Sequence, residues 1–282
     1  MEIIKKGLNS FQLKIIALVI MTVDHLAAYQ IITTSDEINT YMRMAGRIAA
    51  PLFLFLIVEG VRHTRCKKNY IIRLYAAAMA MQFIKEFISL ISVSASEKII
   101  TGNIFQTFFY TALFITCIDM IVKKKENIIK PVIFMTIPVI SAFLHIWLAS
   151  ENFSGNIYKF IRIFLNITLP SPHKIEYSFI FVLIGITWYF VNNRIINCAI
   201  FAGLSVASKF VDERLLYKIG GISDFSFWQF FVSFQWLMIL AIPFIILYNN
   251  EKGKSGLKYF FYIYYPAHQY LLAVLSVYLL NR

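Results

Sequence analysis

The chain has 282 residues, of which 59% are hydrophobic and 17% aromatic, and a mean hydropathy of +0.67. A soluble domain is about 45–50% apolar, so this composition excludes an ordinary soluble protein and indicates a polytopic membrane protein. The net charge of +12 would point to nucleic acid in a soluble chain, but here a basic cytoplasmic face accounts for it and no nucleic-acid partner is expected.

Lys5-Lys6 ahead of an apolar run has the outline of a signal peptide. The run continues through Asp24-His25 to about Ile32 without a small-residue cleavage site, so cleavage is not expected. About 20 helical residues cross a bilayer, and apolar windows of that size fall near 11–32, 45–62, 70–93, 104–122, 131–150, 177–192, 195–210, 226–248 and 259–280. The stretch 154–170 is interrupted by Lys159, Arg162 and Asn166 and ends in Pro170-Ser171-Pro172, so it reads as a re-entrant or interfacial helix. The expected fold class is all-α, a polytopic membrane helix bundle of nine to ten spans with residues 1–282 as one domain. With nine spans and the N-terminus inside, about fifteen Lys and Arg fall on the inside and about ten on the outside, as the positive-inside rule requires. Cys66, Cys117 and Cys198 match no disulfide or metal spacing, and the five histidines form no paired motif. No metal is expected.

Ionisable side chains inside apolar spans are costly and are therefore candidates for function. Lys14 and His25 lie on the first predicted span, with Cα atoms about 16 Å apart and close to one face. An extended phosphopantetheine arm is of comparable length, so a cation at the cytoplasmic end and an imidazole within the membrane suit its phosphates and its thioester. The plainer alternative is a snorkelling Lys14 and a His25 hydrogen-bonded within the bundle. Asp24 is about 100° from His25 around the helix, which points it to a basic residue such as Arg47 instead of to His25. Arg47 and Glu59 are twelve residues apart on the next span, and Glu59 is expected either to answer Lys14 or Arg65 or to meet substrate. His268, just after Pro266, is either a proton partner of His25 or a polar tie between helices. The cluster Arg62, His63, Arg65, Lys67, Lys68 and Arg73 reads mainly as a topology signal. Lys85-Glu86, Asp119, His145 and His173 are given structural roles.

The segment Leu13-Lys14-Ile15-Ile16-Ala17-Leu18, Met21, Asp24-His25, with Gly46-Arg47-Ile48-Ala49, Pro51-Leu52-Phe53-Leu54-Phe55, Glu59-Gly60, Thr64-Arg65, Tyr70 and Arg73-Leu74, resembles the TraX family. So does the late Tyr264-Tyr265-Pro266-Ala267-His268. The dense likeness covers about 13–83 and 259–275, and the middle of the chain matches in hydropathy only. More distantly, the basic residue, ten-residue gap and His of the first span resemble the acyltransferase-3 and heparan N-acetyltransferase-like membrane enzymes, which usually carry Arg where this chain has Lys14.

TraX is the membrane acetylase that caps the N-terminal amine of conjugative pilin. The resemblance therefore implies an integral-membrane acyltransferase domain in a bacterial cell membrane, multi-pass and with its N-terminus cytoplasmic. It implies acetyl-CoA as acyl donor and a protein, small-molecule or glycan acceptor offering an amine or hydroxyl. It also implies catalysis by His25 with Asp24 and His268, and contact of Lys14, Arg65 and Arg73 with the CoA phosphates. Two other readings of the same residues are a secondary transporter relaying protons through Asp24, His25 and His268, and a non-catalytic assembly factor for a pilus or secretion apparatus.

Overall fold

The computed structural model describes residues 7–31, 35–91, 102–123, 128–150, 155–172, 175–210, 234–254 and 258–280. The helices are α1 Ser10–Ala28, α2 Asp36–Gly46, α3 Ala49–His63, α4 Lys67–Ile91, α5 Ile104–Lys123 and α6 Ile129–Ser150. They continue with α7 Asn156–Thr168, α8 Ser178–Phe190, α9 Arg194–Phe210, a 3-10 turn Gln235–Ala241 running into α10 Ile242–Ile246, and α11 Lys258–Leu280. Among the described residues the sole strand-like pairing is one parallel bridge between Leu8 and Tyr248. The architecture is all-helical, as expected. Four segments are long and apolar enough to cross a membrane, Ser10–Ala28, Asp36–His63, Ile104–Lys123 and Ile129–Leu148, and two shorter apolar helices are Ser178–Phe190 and Gln235–Ile246.

The start of α1 is set by a capping box. Asn9 Oδ1 accepts the Gln12 backbone N–H and Gln12 Oε1 accepts that of Asn9, each at 2.9 Å, which satisfies two donors that the first turn leaves without partners. The same end is stapled to the segment after α10: Leu8 N–H donates to Leu247 O at 2.8 Å and the Ser10 and Tyr248 hydroxyls meet at 2.9 Å.

The second span is longer than expected. The apolar windows leave residues 33–44 between two spans, yet from Asp36 onward the chain is helical, with only Arg47 and Ile48 between α2 and α3. Ser35 caps α2, and Asp36 and Glu37 sit in its first turn, where carboxylates suit the helix dipole. Pro51 lies in the first turn of α3, a position that tolerates it because the missing N–H has no partner there in any helix. The expected span 226–248 is described only from Phe234, with residues 226–233 outside the described residues. Lys124, Lys125 and His173 also lie outside them.

The buried apolar core runs through α1, α3, α5, α8, α9 and the 3-10 turn, with Leu13, Leu52, Leu54, Ile115, Phe181 and Phe201 wholly inaccessible. The outward face of α6 exposes Val132, Ile133, Phe134, Ile140, Phe143 and Trp147, an apolar surface too large for water and suited to lipid.

Segment α7 ends inside the protein. The carbonyl of Thr168 accepts the Tyr75 hydroxyl, that of Leu169 accepts Ser141 Oγ at 3.1 Å, and that of Pro170 accepts Ser141 Oγ at 3.0 Å and the Tyr110 hydroxyl. A helix end away from water needs such partners, and three neighbouring helices supply them. The opposite face of α7 exposes Ile157, Phe160 and Phe164.

One end of the bundle collects the basic side chains. Lys67 and Lys123 pair with Asp119 at 2.7 and 2.8 Å, and Arg62 pairs with Glu59 at 2.7 Å while donating to the Trp188 and Tyr189 carbonyls at the end of α8. Cys66 is exposed at this end, whereas Cys117 and Cys198 are buried. Basic side chains gather on the cytoplasmic side of membrane proteins. In intact cells Cys66 should therefore resist a membrane-impermeant thiol reagent and react once the membrane is permeabilised, with the two buried cysteines silent in both cases. Labelling of Cys66 from outside intact cells would reverse the orientation.

Candidate functional site

The seam between α1 and α11 carries two imidazoles in direct contact. His25 Nδ1 and His268 Nε2 are 2.6 Å apart, and the rings stack with centroids at 4.9 Å. The other nitrogen of His268, Nδ1, is 2.8 Å from the Tyr264 carbonyl oxygen. A carbonyl can only accept, so Nδ1 of His268 carries hydrogen, and in the neutral ring Nε2 is then the acceptor. His25 must therefore donate through Nδ1–H, which leaves its Nε2 with the lone pair. The tautomer of His25 is thus set by the protein, two steps away, at a backbone carbonyl. Tyr264 lies four residues before His268, and Pro266 between them removes a helix N–H and loosens this turn.

The seam is pinned again one turn lower. Thr22 Oγ1 donates to the Leu18 carbonyl at 2.8 Å and accepts the Tyr264 hydroxyl at 2.8 Å, while the Tyr264 ring stacks on His268 at 5.0 Å. Tyr265 stands edge-on to both imidazoles, at 6.3 Å from His25 and 5.7 Å from His268. Its hydroxyl donates to Glu176 Oε2 at 3.3 Å and accepts Gln269 Nε2 at 3.0 Å.

Asp24 faces the other way, onto the junction of α2 and α3. Arg43 Nη1 donates to its Oδ1 at 2.8 Å, and Arg47 Nη2 lies 3.2 Å from both carboxylate oxygens. The pairing with Arg47 is the one that the offset from His25 suggests. Arg43, expected in an outer loop, is instead a second partner on α2. Gly46 makes the approach possible, since a Cβ there would lie 2.3 Å from Asp24 Cγ. Asp24 and His25 are only 5% and 6% exposed. They lie about 22 Å along α1 from Ser10.

The remaining sequence-predicted residues divide into two groups. Lys14 sits near the N-terminal end of α1 with Nζ 5.6 Å from the Phe261 ring centroid, and Lys252 stands within electrostatic range of it. Arg73 comes to the adjoining residue of α11, Tyr262, and lies over the Tyr70 ring at 5.8 Å. Its Nε is buried without a hydrogen-bond partner among the described residues. Arg65 is exposed and makes no ion pair among the described residues. Glu59 meets neither Lys14 nor Arg65. Arg62 and His63, three and four residues on along the same helix, occupy its two oxygens at 2.7 and 3.4 Å, the short-range partners that a helix offers first. Sequence reading passed over Glu176, which stands just before α8 outside any apolar run, and Tyr177 at the edge of one, and gave no role to Arg43, although its spacing of four from Arg47 puts both on one helix face.

Removing the Asp24 carboxylate leaves Arg47 buried without its counter-charge, a change that costs about 3–5 kcal/mol. Asp24→Ala should markedly lower the thermal midpoint of the detergent-purified protein, and Gly46→Ala should do so through the same contact. Arg43→Ala should cost less, because Arg43 is more exposed than Arg47. An Asp24→Ala protein as stable as wild type would contradict this account.

A family model described as TraX protein matches residues 10–276. A probable fimbrial assembly protein FimC, serogroup H1, of Dichelobacter nodosus is 32% identical over 105 residues, which is 35% of this chain and 42% of that protein. The chain thus covers less than half the length of that curated relative. No solved structure matches it. With the family match running through almost the whole chain, including the helices of His25 and His268, the protein belongs to the TraX family.

Proposed function

We propose that this protein is an integral-membrane acetyltransferase that moves an acetyl group from acetyl-CoA to an amine or hydroxyl, with a polypeptide N-terminus such as that of a pilin as the foremost acceptor. The observation that carries the reading is the His25–His268 contact. It is an imidazole pair with its tautomer set from Tyr264, about one pantetheine length from a cation on the same helix. Membership of the TraX family supports acetyl transfer, and the fimbrial assembly relative supports a pilin-like acceptor. In this reading the chain crosses the bilayer nine times with its N-terminus cytoplasmic. Segment α7 re-enters from the outer side, and the donor arrives at the basic end.

Acetyl-CoA supplies an activated thioester. Lys14 and Arg73 would hold its phosphates, since both are cations at the cytoplasmic end and Arg73 has a donor to spare, and the family motif adds Arg65. His25 Nε2 takes the proton of the attacking nucleophile, the role for which imidazole is best matched near neutral pH. As that proton arrives, the Nδ1–H of His25 points at the lone pair of His268, which shares the new charge and holds the ring in place. His25 then returns the proton to the leaving sulfur. Asp24, engaged by two arginines, acts by positioning α1 and not by touching His25. A non-catalytic role in fimbrial assembly is the second reading, favoured by the name of the curated relative.

His25→Ala should leave a folded protein that still binds acetyl-CoA, with turnover reduced by roughly 10²–10⁴-fold. The rate of the wild type should rise with pH through a single titration that the variant lacks. His268→Ala should cost rate as well, since it frees the His25 tautomer, whereas a variant that loses only thermal stability would reduce His268 to a tie between helices. A fully active His25→Ala protein would remove the base assignment, and a wild type that does not bind acetyl-CoA would favour the assembly reading.

A separate expectation concerns the donor. Arg73→Ala should weaken CoA binding by about 1–3 kcal/mol, the range for a charge-assisted hydrogen bond, and leave a small thioester lacking the nucleotide nearly unaffected. Equal losses with both donors would show that Arg73 holds the fold.

A further inference from the structure

Among the described residues, Glu176 is a carboxylate close to the imidazole pair that no ion pair occupies. It lies on the segment between α7 and α8, and its position is held from several sides. Its carbonyl accepts Thr107 Oγ1 at 2.7 Å. The next two residues, Tyr177 and Ser178, have φ of 62° and 65°, a left-handed conformation that side chains other than glycine adopt only under constraint. Gly102 lies so close that a Cβ on it would be 2.5 Å from the Glu176 carboxyl carbon. This much constraint fixes a side chain whose packing value is small.

The carboxylate itself is underused. Oε2 accepts one hydrogen bond, from Tyr265 at 3.3 Å, and Oε1 has no partner among the described residues. The charged and titratable groups facing it are Arg47, Arg43, Asp24, Tyr177 and Tyr265. Both guanidiniums donate to Asp24, and the Nε of Arg47 donates to the Arg43 carbonyl. A structural counter-ion would sit on one of them. Glu176 instead stands one tyrosine ring from the histidines, since Tyr265 touches Glu176 through its hydroxyl and both imidazoles through its ring edge.

An amine acceptor poses a problem that this residue answers. At neutral pH a primary amine is an ammonium without a lone pair, and acetylating it releases two protons where a hydroxyl releases one. We infer that Glu176 binds the ammonium of the acceptor and takes its first proton, making the site selective for amines over hydroxyls. This inference rests on the acetyltransferase reading above. The steps balance. Glu176 takes one proton and frees the nitrogen lone pair, the C–N bond forms at the thioester carbon as the C–S bond breaks, and His25 takes the second proton. That second proton goes to the leaving sulfur, and Glu176 releases the first to solvent, so ammonium and thioester become amide, thiol and one proton.

The test compares two acceptors, an alanine tetrapeptide amide with a free amine and its lactyl counterpart bearing a hydroxyl in place of the amine. The wild type should prefer the amine by about tenfold or more, the scale of a charge-assisted hydrogen bond. Glu176→Gln should raise KM for the amine by about the same factor near pH 7, with the deficit closing as pH passes the amine's own titration near about 8. The lactyl peptide and the binding of acetyl-CoA should be little changed, and Glu176→Asp should recover most of the loss. An unchanged amine KM in Glu176→Gln, or equal losses with both acceptors at every pH, would overturn the inference. Should neither variant fold, a wild type that uses the two peptides equally well overturns it. Transfer to neither acceptor by the wild type would overturn the acetyltransferase reading itself.

Discussion

The ion cluster at Asp24 is the constraint on which the rest of the structure depends. A carboxylate buried within an apolar helix bundle is tolerable only with opposite charge and good hydrogen bonds around it, and Arg43 and Arg47 supply both. Their demands shape the backbone. The helix must continue outward past Arg47 so that Arg43 can reach the same oxygen, and Gly46 must carry no side chain so that the two helices can approach. With Asp24 fixed on the α2–α3 side, the helical offset of its neighbour leaves His25 facing α11. Charge pairing on one face of α1 therefore sets the orientation of His25 on the other.

The α1–α11 seam then works as a chain of defined donors and acceptors. Each link has only one consistent assignment once the Tyr264 carbonyl is recognised as an acceptor, and the chain ends on the nitrogen of His25 that is not tied up. In the proposed mechanism a neutral imidazole stands where other general bases use a carboxylate as the orienting group. It can share the developing charge without adding a permanent negative charge to a low-dielectric interior, where an unpaired charge is expensive. The distance from this nitrogen to Lys14 is set by the pitch of one helix, so the two are held in register by the most rigid element available.

Much of this was legible in the sequence because lipid makes polar residues conspicuous. Asp24, His25 and His268 stand out within apolar runs, and the 100° step between Asp24 and His25 separates their partners. The start of α2 was not legible: residues 36–44 are too polar to register as a span, and their helix exists because Asp24 needs Arg43. The partner of Glu59 was misread because two basic residues one turn along the same helix outcompete more distant ones. Glu176 was invisible for a different reason. It follows Pro170-Ser171-Pro172 on a non-helical segment, has no periodicity, and gains its place only when α5 and α11 close around it. The interruptions and prolines of α7 mark where it stops, but the hydroxyls of Tyr75, Tyr110 and Ser141 that cap its end come from three separate helices.

The central claim is that one buried histidine pair links a donor on the basic side to an acceptor in the outer half of the membrane. The most direct test uses wild-type protein oriented in proteoliposomes, with acetyl-CoA confined to the basic face and a free-amine peptide confined to the other. Mass spectrometry of the peptide then reads the transfer. The account predicts that the peptide gains one acetyl group at its N-terminus. Acetylation that occurs only when donor and peptide share the basic side, or that never occurs although acetyl-CoA is bound, would contradict it.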